Sequence, residues 1–237
     1  MRRIRWYYGT LVGMFPLRDE NPSHHFPLVT VALILINCTV FGYEVSLGPA
    51  ADAFVQSFAF IPSDFWYSHS VYPLFTSMFL HGGIGHVFGN MWFLWIFGDN
   101  LEDHLGKFHY LVFYTVTGLA AGLVHGWLNP ESPVPTVGAS GAISGILGGY
   151  MVLHPRIKIK TVVTLGFFWN IIYLPAIFFL ALWFLMQLLG GLGGPSQVAF
   201  GAHIGGFVAG TVLIFLLTKR GGNRPSRRYD PWRQRRF

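Results

Sequence analysis

Val137-Gly138-Ala139-Ser140-Gly141-Ala142-Ile143-Ser144-Gly145-Ile146-Leu147-Gly148-Gly149-Tyr150 is apolar and glycine-dense, and it opens one of several membrane-length segments. Gly141, Gly145 and Gly149 fall four apart, on one face of a helix. A face without bulky side chains lets a neighbouring helix approach closely. Ser140 stands at the start of that helix, on the same side. A hydroxyl at the rim of a close helix contact is either plain glue or a nucleophile awaiting a base.

The whole composition agrees with a membrane location. Of 237 residues, 52% are hydrophobic and 11% charged, whereas a soluble domain carries about 25% charged residues. The single Cys38 excludes an intramolecular disulfide and a cysteine-based metal site. The net charge of +6 invites a nucleic-acid reading, but eight of the 16 Lys and Arg follow Leu217 and four precede Asp19. Charge confined to the flanks of apolar segments orients a chain in a bilayer; no nucleic-acid partner is expected. The apolar run from Trp6 to Leu17 is broken by Gly9, Gly13 and Pro16, and no small-residue cleavage site follows. It reads as an interfacial segment, with Trp6, Tyr7 and Tyr8 at headgroup level, rather than a cleaved signal peptide.

A membrane-spanning helix needs roughly 20 apolar residues. Hydropathy gives six candidates, at about 27–47, 75–98, 108–128, 138–154, 162–189 and 198–218. The expected fold is therefore all-α, a polytopic six-helix bundle. Positive charge precedes the first span (Arg2, Arg3, Arg5, Arg18) and is absent from the 48–74 loop. It recurs as Lys107, vanishes over 129–137, returns as Arg156, Lys158 and Lys160, vanishes over 190–197, and ends in an Arg-rich tail. This alternation puts both termini in the cytoplasm. It divides the chain into a cytoplasmic or interfacial segment over 1–26, a membrane domain over 27–218 and a basic tail over 219–237. Between the first two spans, the aromatic stretch 50–72 is expected in the outer interface. Gly190–Ser196 reads as a flexible linker, and the tail as disordered and drawn to anionic lipid.

Polar residues within spans are costly and mark function. His81, His86 and Asn90 open the second span, Ser140 the fourth, and His203 stands near the start of the sixth. All three spans begin on the non-cytoplasmic side, so these residues share one depth. Gly206 and Gly210 continue the face of His203, as Gly141 and Gly145 continue that of Ser140. Two such faces pack together, which would bring the hydroxyl to the imidazole. A serine needs an adjacent base to become a nucleophile. His86 and Asn90, four apart, could donate to an oxyanion together with a backbone N–H at Ser140. His81 would fix the loop. Metal ligation by the histidines is disfavoured, because no HExxH motif and no carboxylate lies in the cluster. No Asp or Glu in the outer half of these spans can orient His203, so a Ser–His dyad is expected. Asp99, Glu102 and Asp103, at the far end of the second span, would cap helix ends.

Gly138-Ala139-Ser140-Gly141, Ala202-His203-Ile204-Gly205-Gly206, and His81, His86 and Asn90 leading into Phe97-Gly98-Asp99-Asn100-Leu101-Glu102-Asp103 together resemble a rhomboid intramembrane serine protease. The resemblance covers about Pro73 to Thr218. It implies Ser140 as nucleophile, His203 as general base, and His86 and Asn90 as oxyanion donors. Gly138, Gly141, Gly206 and His81 would give structural support. It implies no metal and no cofactor. Substrates would be single-span or polytopic membrane proteins, cleaved near the outer face of a bacterial-type cell membrane. The fifth span and the linker after it would correspond to a mobile gate and cap. Two positions depart from the pattern: Trp66 is followed by Tyr67 where many members have Trp-Arg, and Ser144 stands where many have an aromatic packed on the base. The rival readings are a non-catalytic rhomboid-like protein that binds membrane clients and, less favoured, a small transporter.

Overall fold

A computed structural model of the chain describes residues 12–68, 70–166, 168–193 and 198–220. The expectations for Trp6, Tyr7, Tyr8, the tail beyond Arg220 and part of the 190–196 linker lie outside these residues. The elements run β1 (Val12–Asp19), α1 (Leu28–Ser46), α2 (Ala51–Phe58), α3 (Pro62–Ser68), α4 (Tyr72–Thr76), α5 (Ile84–Leu105), α6 (Lys107–Leu128), α7 (Ser140–Leu153), β2 (Lys158–Leu165), β3 (Phe168–Pro175), α8 (Ala176–Leu192) and α9 (Phe200–Arg220).

The quoted stretch becomes α7, the hub of the bundle. Every residue from Gly141 to Tyr150 is buried. Its glycines let neighbours approach closely, and α5, α6, α8 and α9 surround it. Leu94, Phe97 and Leu101 of α5, Tyr110 and Phe113 of α6, and Phe207 and Ile214 of α9 close the core around Ile146, Leu147 and Tyr150. The outward faces are apolar too: Leu35, Phe108, Trp127, Phe178 and Phe215 are all exposed. An apolar exterior of that extent requires lipid, not water.

Among the described residues, α1, α6 and residues 200–218 of α9 are long and apolar enough to cross a membrane. The α5 helix matches them in length but carries Asp99, Glu102 and Asp103 near its end. Of these acids, Glu102 meets a helix end. Glu102 accepts from the backbone N–H groups of Val29 and Thr30 at 2.9 and 2.8 Å, where α1 begins. A carboxylate there satisfies free amides and complements the helix dipole. Asp103 accepts from the N–H of His24 at 3.0 Å. With 14 residues, α7 is about 21 Å long, shorter than the ~30 Å apolar core of a bilayer.

The expectation of an all-helical chain with a fifth span over 162–189 needs correcting. Lys158–Leu165 and Phe168–Pro175 form an antiparallel hairpin, and β1 adds to it in the order β1-β2-β3. Phe15 pairs with Val162, and Thr161 with Ile172. Only from Ala176 does this segment become helical. The β-branched run Thr161-Val162-Val163-Thr164 and the pair Ile171-Ile172 favour a pleated strand, and Gly166, at φ +60°, makes the turn. The sheet is fastened to the bundle through β1. Trp92 Nε1–H donates to the Pro16 carbonyl at 2.7 Å, its ring stacks on Phe15, and the Tyr150 hydroxyl donates to Asp19 at 2.5 Å.

The stretch 50–72 folds into short helices rather than another span. Phe60 and Thr136 exchange backbone hydrogen bonds at 3.1 and 2.8 Å, and the Trp66 indole donates to the Gly126 carbonyl at 3.1 Å. This loop is thus anchored on α6 by Trp66 without an arginine beside it.

Candidate active site

Two helices meet with almost nothing between them. A Cβ placed on Gly206 would lie 2.0 Å from the Gly141 carbonyl oxygen, and one on Gly210 would lie 2.0 Å from that of Gly145. No side chain fits there, so α9 rests on the backbone of α7. The glycine stripe of α7 serves a second neighbour as well. A Cβ on Gly141 would meet Ala121, and one on Gly145 would meet Thr117, both of α6. The expected pairing of the fourth and sixth spans holds, but the stripe also seats the third.

This contact carries Ser140, the first residue of α7, against His203, one turn into α9. Ser140 Oγ lies 2.9 Å from His203 Nε2, and both residues are partly buried. Ser144, one turn further, is buried and donates to the Ser140 carbonyl at 2.6 Å. Its hydroxyl is spent on the backbone, as serines within helices commonly are.

The donors converge on the loop segment leading into Ser140. Gly138 has φ +122°, and a Cβ there would stand 2.7 Å from His86 Nε2 and 3.4 Å from Asn90 Nδ2. Only glycine combines this backbone with this clearance. The Gly82 N–H donates to His86 Nδ1 at 3.3 Å. That nitrogen is therefore an acceptor, and the ring proton sits on Nε2, facing Gly138. Asn90 Nδ2 is buried with no hydrogen-bond partner. An orphan donor at this depth is an expense unless a ligand uses it. His81 is buried, stacks edge-on against His86 at 5.1 Å, and leaves both ring nitrogens unpartnered. Its backbone N–H donates to Glu44 of α1 at 3.3 and 3.4 Å, so the loop before α5 is tied down by a carboxylate.

Two residues here escaped the sequence reading. Glu44, a buried acid within an otherwise apolar span, was visible as a functional-looking charge. Gln187 of α8 lies with its Oε1 2.8 Å from His203 Nδ1. It was missed because the search for a third member covered carboxylates on three spans, not an amide on the fifth. The base also has rings beside it. Trp183 of α8 tilts over His203 at 6.0 Å and 33°, and Phe200 meets it edge-on at 6.5 Å. Ser144 offers no ring to the base, and the rings beside His203 come from α8 and α9. Among the described residues no three His, Cys, Asp or Glu side chains are grouped to hold a metal ion.

The rhomboid domain model matches residues 68–220, the region that contains every residue of this cluster except Glu44. The chain belongs to the rhomboid family. RHOMBOID-like protein 1 of Arabidopsis thaliana is 30% identical over 174 residues, covering 73% of this chain and 41% of that protein. Rhomboid-like protein 11, chloroplastic, also from Arabidopsis thaliana, is 31% identical, covering 62% of this chain and 53% of that protein. Rhomboid protein 1, mitochondrial, of Saccharomyces cerevisiae is 33% identical, covering 54% and 37%. This rhomboid chain thus spans about half the length, or less, of the curated relatives it matches. Family membership and the apolar helices together make it an integral membrane protein.

Proposed function

We propose that this rhomboid-family chain is an intramembrane serine endopeptidase. The family consists for the most part of such proteases. The observation that carries the reading here is the 2.9 Å approach of Ser140 Oγ to His203 Nε2, held by glycine contacts that admit no slack. In the proposed reaction, a peptide carbonyl of the substrate sits between Ser140 and Gly138. The Oγ–C bond forms as the Ser140 proton passes to His203 Nε2. The oxyanion is met by His86 Nε2–H, Asn90 Nδ2–H and the N–H at the start of α7, whose dipole favours negative charge. The intermediate collapses, the C–N bond breaks, and His203 gives its proton to the leaving amine. Water then attacks the acyl-enzyme, yielding its proton to His203; the C–Oγ bond breaks, the acid leaves, and His203 returns the proton to Ser140 Oγ.

The substrate is proposed to be a membrane-spanning protein, because the nucleophile heads a helix too short to reach across the bilayer from the opposite face. An extended peptide can exist there only inside a cavity shielded from lipid. The six spans, the cytoplasmic termini, the outward-facing site and the bacterial-type cell membrane belong to the same proposal, supported by the alternation of Lys and Arg between loops. The test is to co-reconstitute the full chain with a panel of single-span proteins. Wild type is expected to release fragments cut near one membrane face, and Ser140→Ala none. Fragments made equally by both proteins would remove the assignment.

A further inference from the structure

We propose that Gln187 is a positioning residue for His203, the member that turns the dyad into a Ser–His–Gln triad; this rests on the protease reading above. Gln187 Nε2 donates to the carbonyl of Trp183, one turn earlier on α8, at 3.3 Å. A carbonyl accepts only, so the reversed amide would set two oxygens against each other. With Nε2 so engaged, the group facing the imidazole is Oε1, at 2.8 Å from Nδ1. An amide oxygen also accepts only. The ring proton of neutral His203 therefore lies on Nδ1, and Nε2 presents its lone pair to Ser140 Oγ at 2.9 Å. That is the tautomer a general base needs. The opposite tautomer would direct an N–H at the hydroxyl and leave Nδ1 and Oε1, both acceptors, in contact.

The choice of an amide suits the surroundings. A carboxylate does this work in soluble serine hydrolases, but a charge within an apolar bundle carries a heavy desolvation penalty. Glutamine selects the tautomer without a charge. Trp183, whose carbonyl fixes the amide, also tilts its own ring over His203. One helical turn of α8 thus sets both the protonation pattern and the plane of the base. The buried residues of α8, Ala176, Phe179 and Leu180, all lie at its beginning, well before Gln187. The segment that orients His203 is the loosely covered end of a peripheral helix, so the base is set only while α8 lies against α9.

The experiment uses the full chain in detergent or bilayer, with Gln187→Met, which keeps the volume and removes the acceptor, and Gln187→Glu, which keeps an acceptor oxygen. Ring 15N spectra, with His203 assigned by difference from His203→Ala, read the tautomer without any need for activity. Wild type is expected to hold the Nδ1–H form alone, and Gln187→Met a mixture. The rate of fluorophosphonate labelling and kcat on a substrate are expected to fall roughly 10- to 100-fold in Gln187→Met, with KM and thermal midpoint little changed. Gln187→Glu is expected to recover most of that loss. A structural role alone would lower the midpoint in Gln187→Met and leave the tautomer as in wild type. An unchanged His203 signature with wild-type labelling in Gln187→Met overturns the proposal while leaving the protease reading intact. A wild type that neither labels nor cleaves sinks the protease reading, and the 15N spectra still decide the role of Gln187. Should Gln187→Met fail to fold, the wild-type spectrum decides: an Nε2–H ring refutes the proposal.

Discussion

Ser140 and Ser144 are four residues apart on one helix, and their fates differ through one contact each. Ser140 faces an imidazole nitrogen at 2.9 Å, whereas Ser144 gives its proton to a backbone carbonyl at 2.6 Å. The donors opposite Ser140 can be weighed in the same way. Asn90 Nδ2 has no partner in the resting protein, so its removal breaks nothing there and should be felt only when an oxyanion forms. Asn90→Ala is expected to lower kcat about 10²- to 10³-fold with a small change in KM, measured by steady-state cleavage; a loss confined to KM would place Asn90 in substrate binding instead. The convergence of Ser140 with His203, and of His86 and Asn90 on Gly138, was legible because each of these polar residues interrupts an apolar segment near one end. The place of Gln187 was not legible, since nothing in a sequence tells which face α8 turns to His203. His81 was read as fixing its loop, but its ring is packed on His86 and the loop's backbone is held by Glu44.

At the scale of elements, the contact between α7 and α9 decides whether the site exists. Gly210→Ala drives a methyl group into the Gly145 carbonyl, 2.0 Å away. It is expected to destabilise the protein by about 1–3 kcal/mol and, by parting the helices, to lower activity on the order of 100-fold. Gly42→Ala on α1, where a Cβ meets nothing within 4 Å, is the control and should retain activity. Thermal midpoints and kcat of the two variants check this. The sheet carries a second prediction. Asp19 of β1, held by Tyr150 and by Asn100 at 3.1 Å, has its carboxyl pushed up to about 6, mainly by burial. The folded state thus holds this proton more tightly than the unfolded chain. Its stabilising contribution is full below about pH 4 and lost as pH rises through about 6. Asp19→Asn should flatten the fall in thermal midpoint between pH 4 and 7; an unchanged slope would contradict it. The hairpin itself could not be read from hydropathy, because a strand and a helix of the same apolar residues score alike. Only the β-branched clusters at 161–164 and 171–172 hinted at it.

For the whole molecule, the order of apolar segments was legible, and so was the close packing of α7, because its glycine stripe lets neighbouring helices approach. The small sheet was not, since its register depends on strands far apart in the sequence: Val12 pairs with Leu165. Cys38 tests the membrane placement. It is the only cysteine and lies exposed on α1, among apolar neighbours. A thiol reacts through its thiolate, which lipid suppresses. In intact vesicles Cys38 is expected to resist a membrane-impermeant maleimide and to react after denaturation in detergent. Prompt labelling in intact vesicles would set α1 in water and overturn the span assignment.

The proposed arming of Ser140 by His203 is what the protease reading stands on. Its most direct test is to treat the reconstituted full chain with a fluorophosphonate and map the adduct by mass spectrometry. One adduct is expected, on Ser140, kept in Ser144→Ala and lost in both Ser140→Ala and His203→Ala. An adduct on Ser144, or on Ser140 at an undiminished rate without His203, would contradict it.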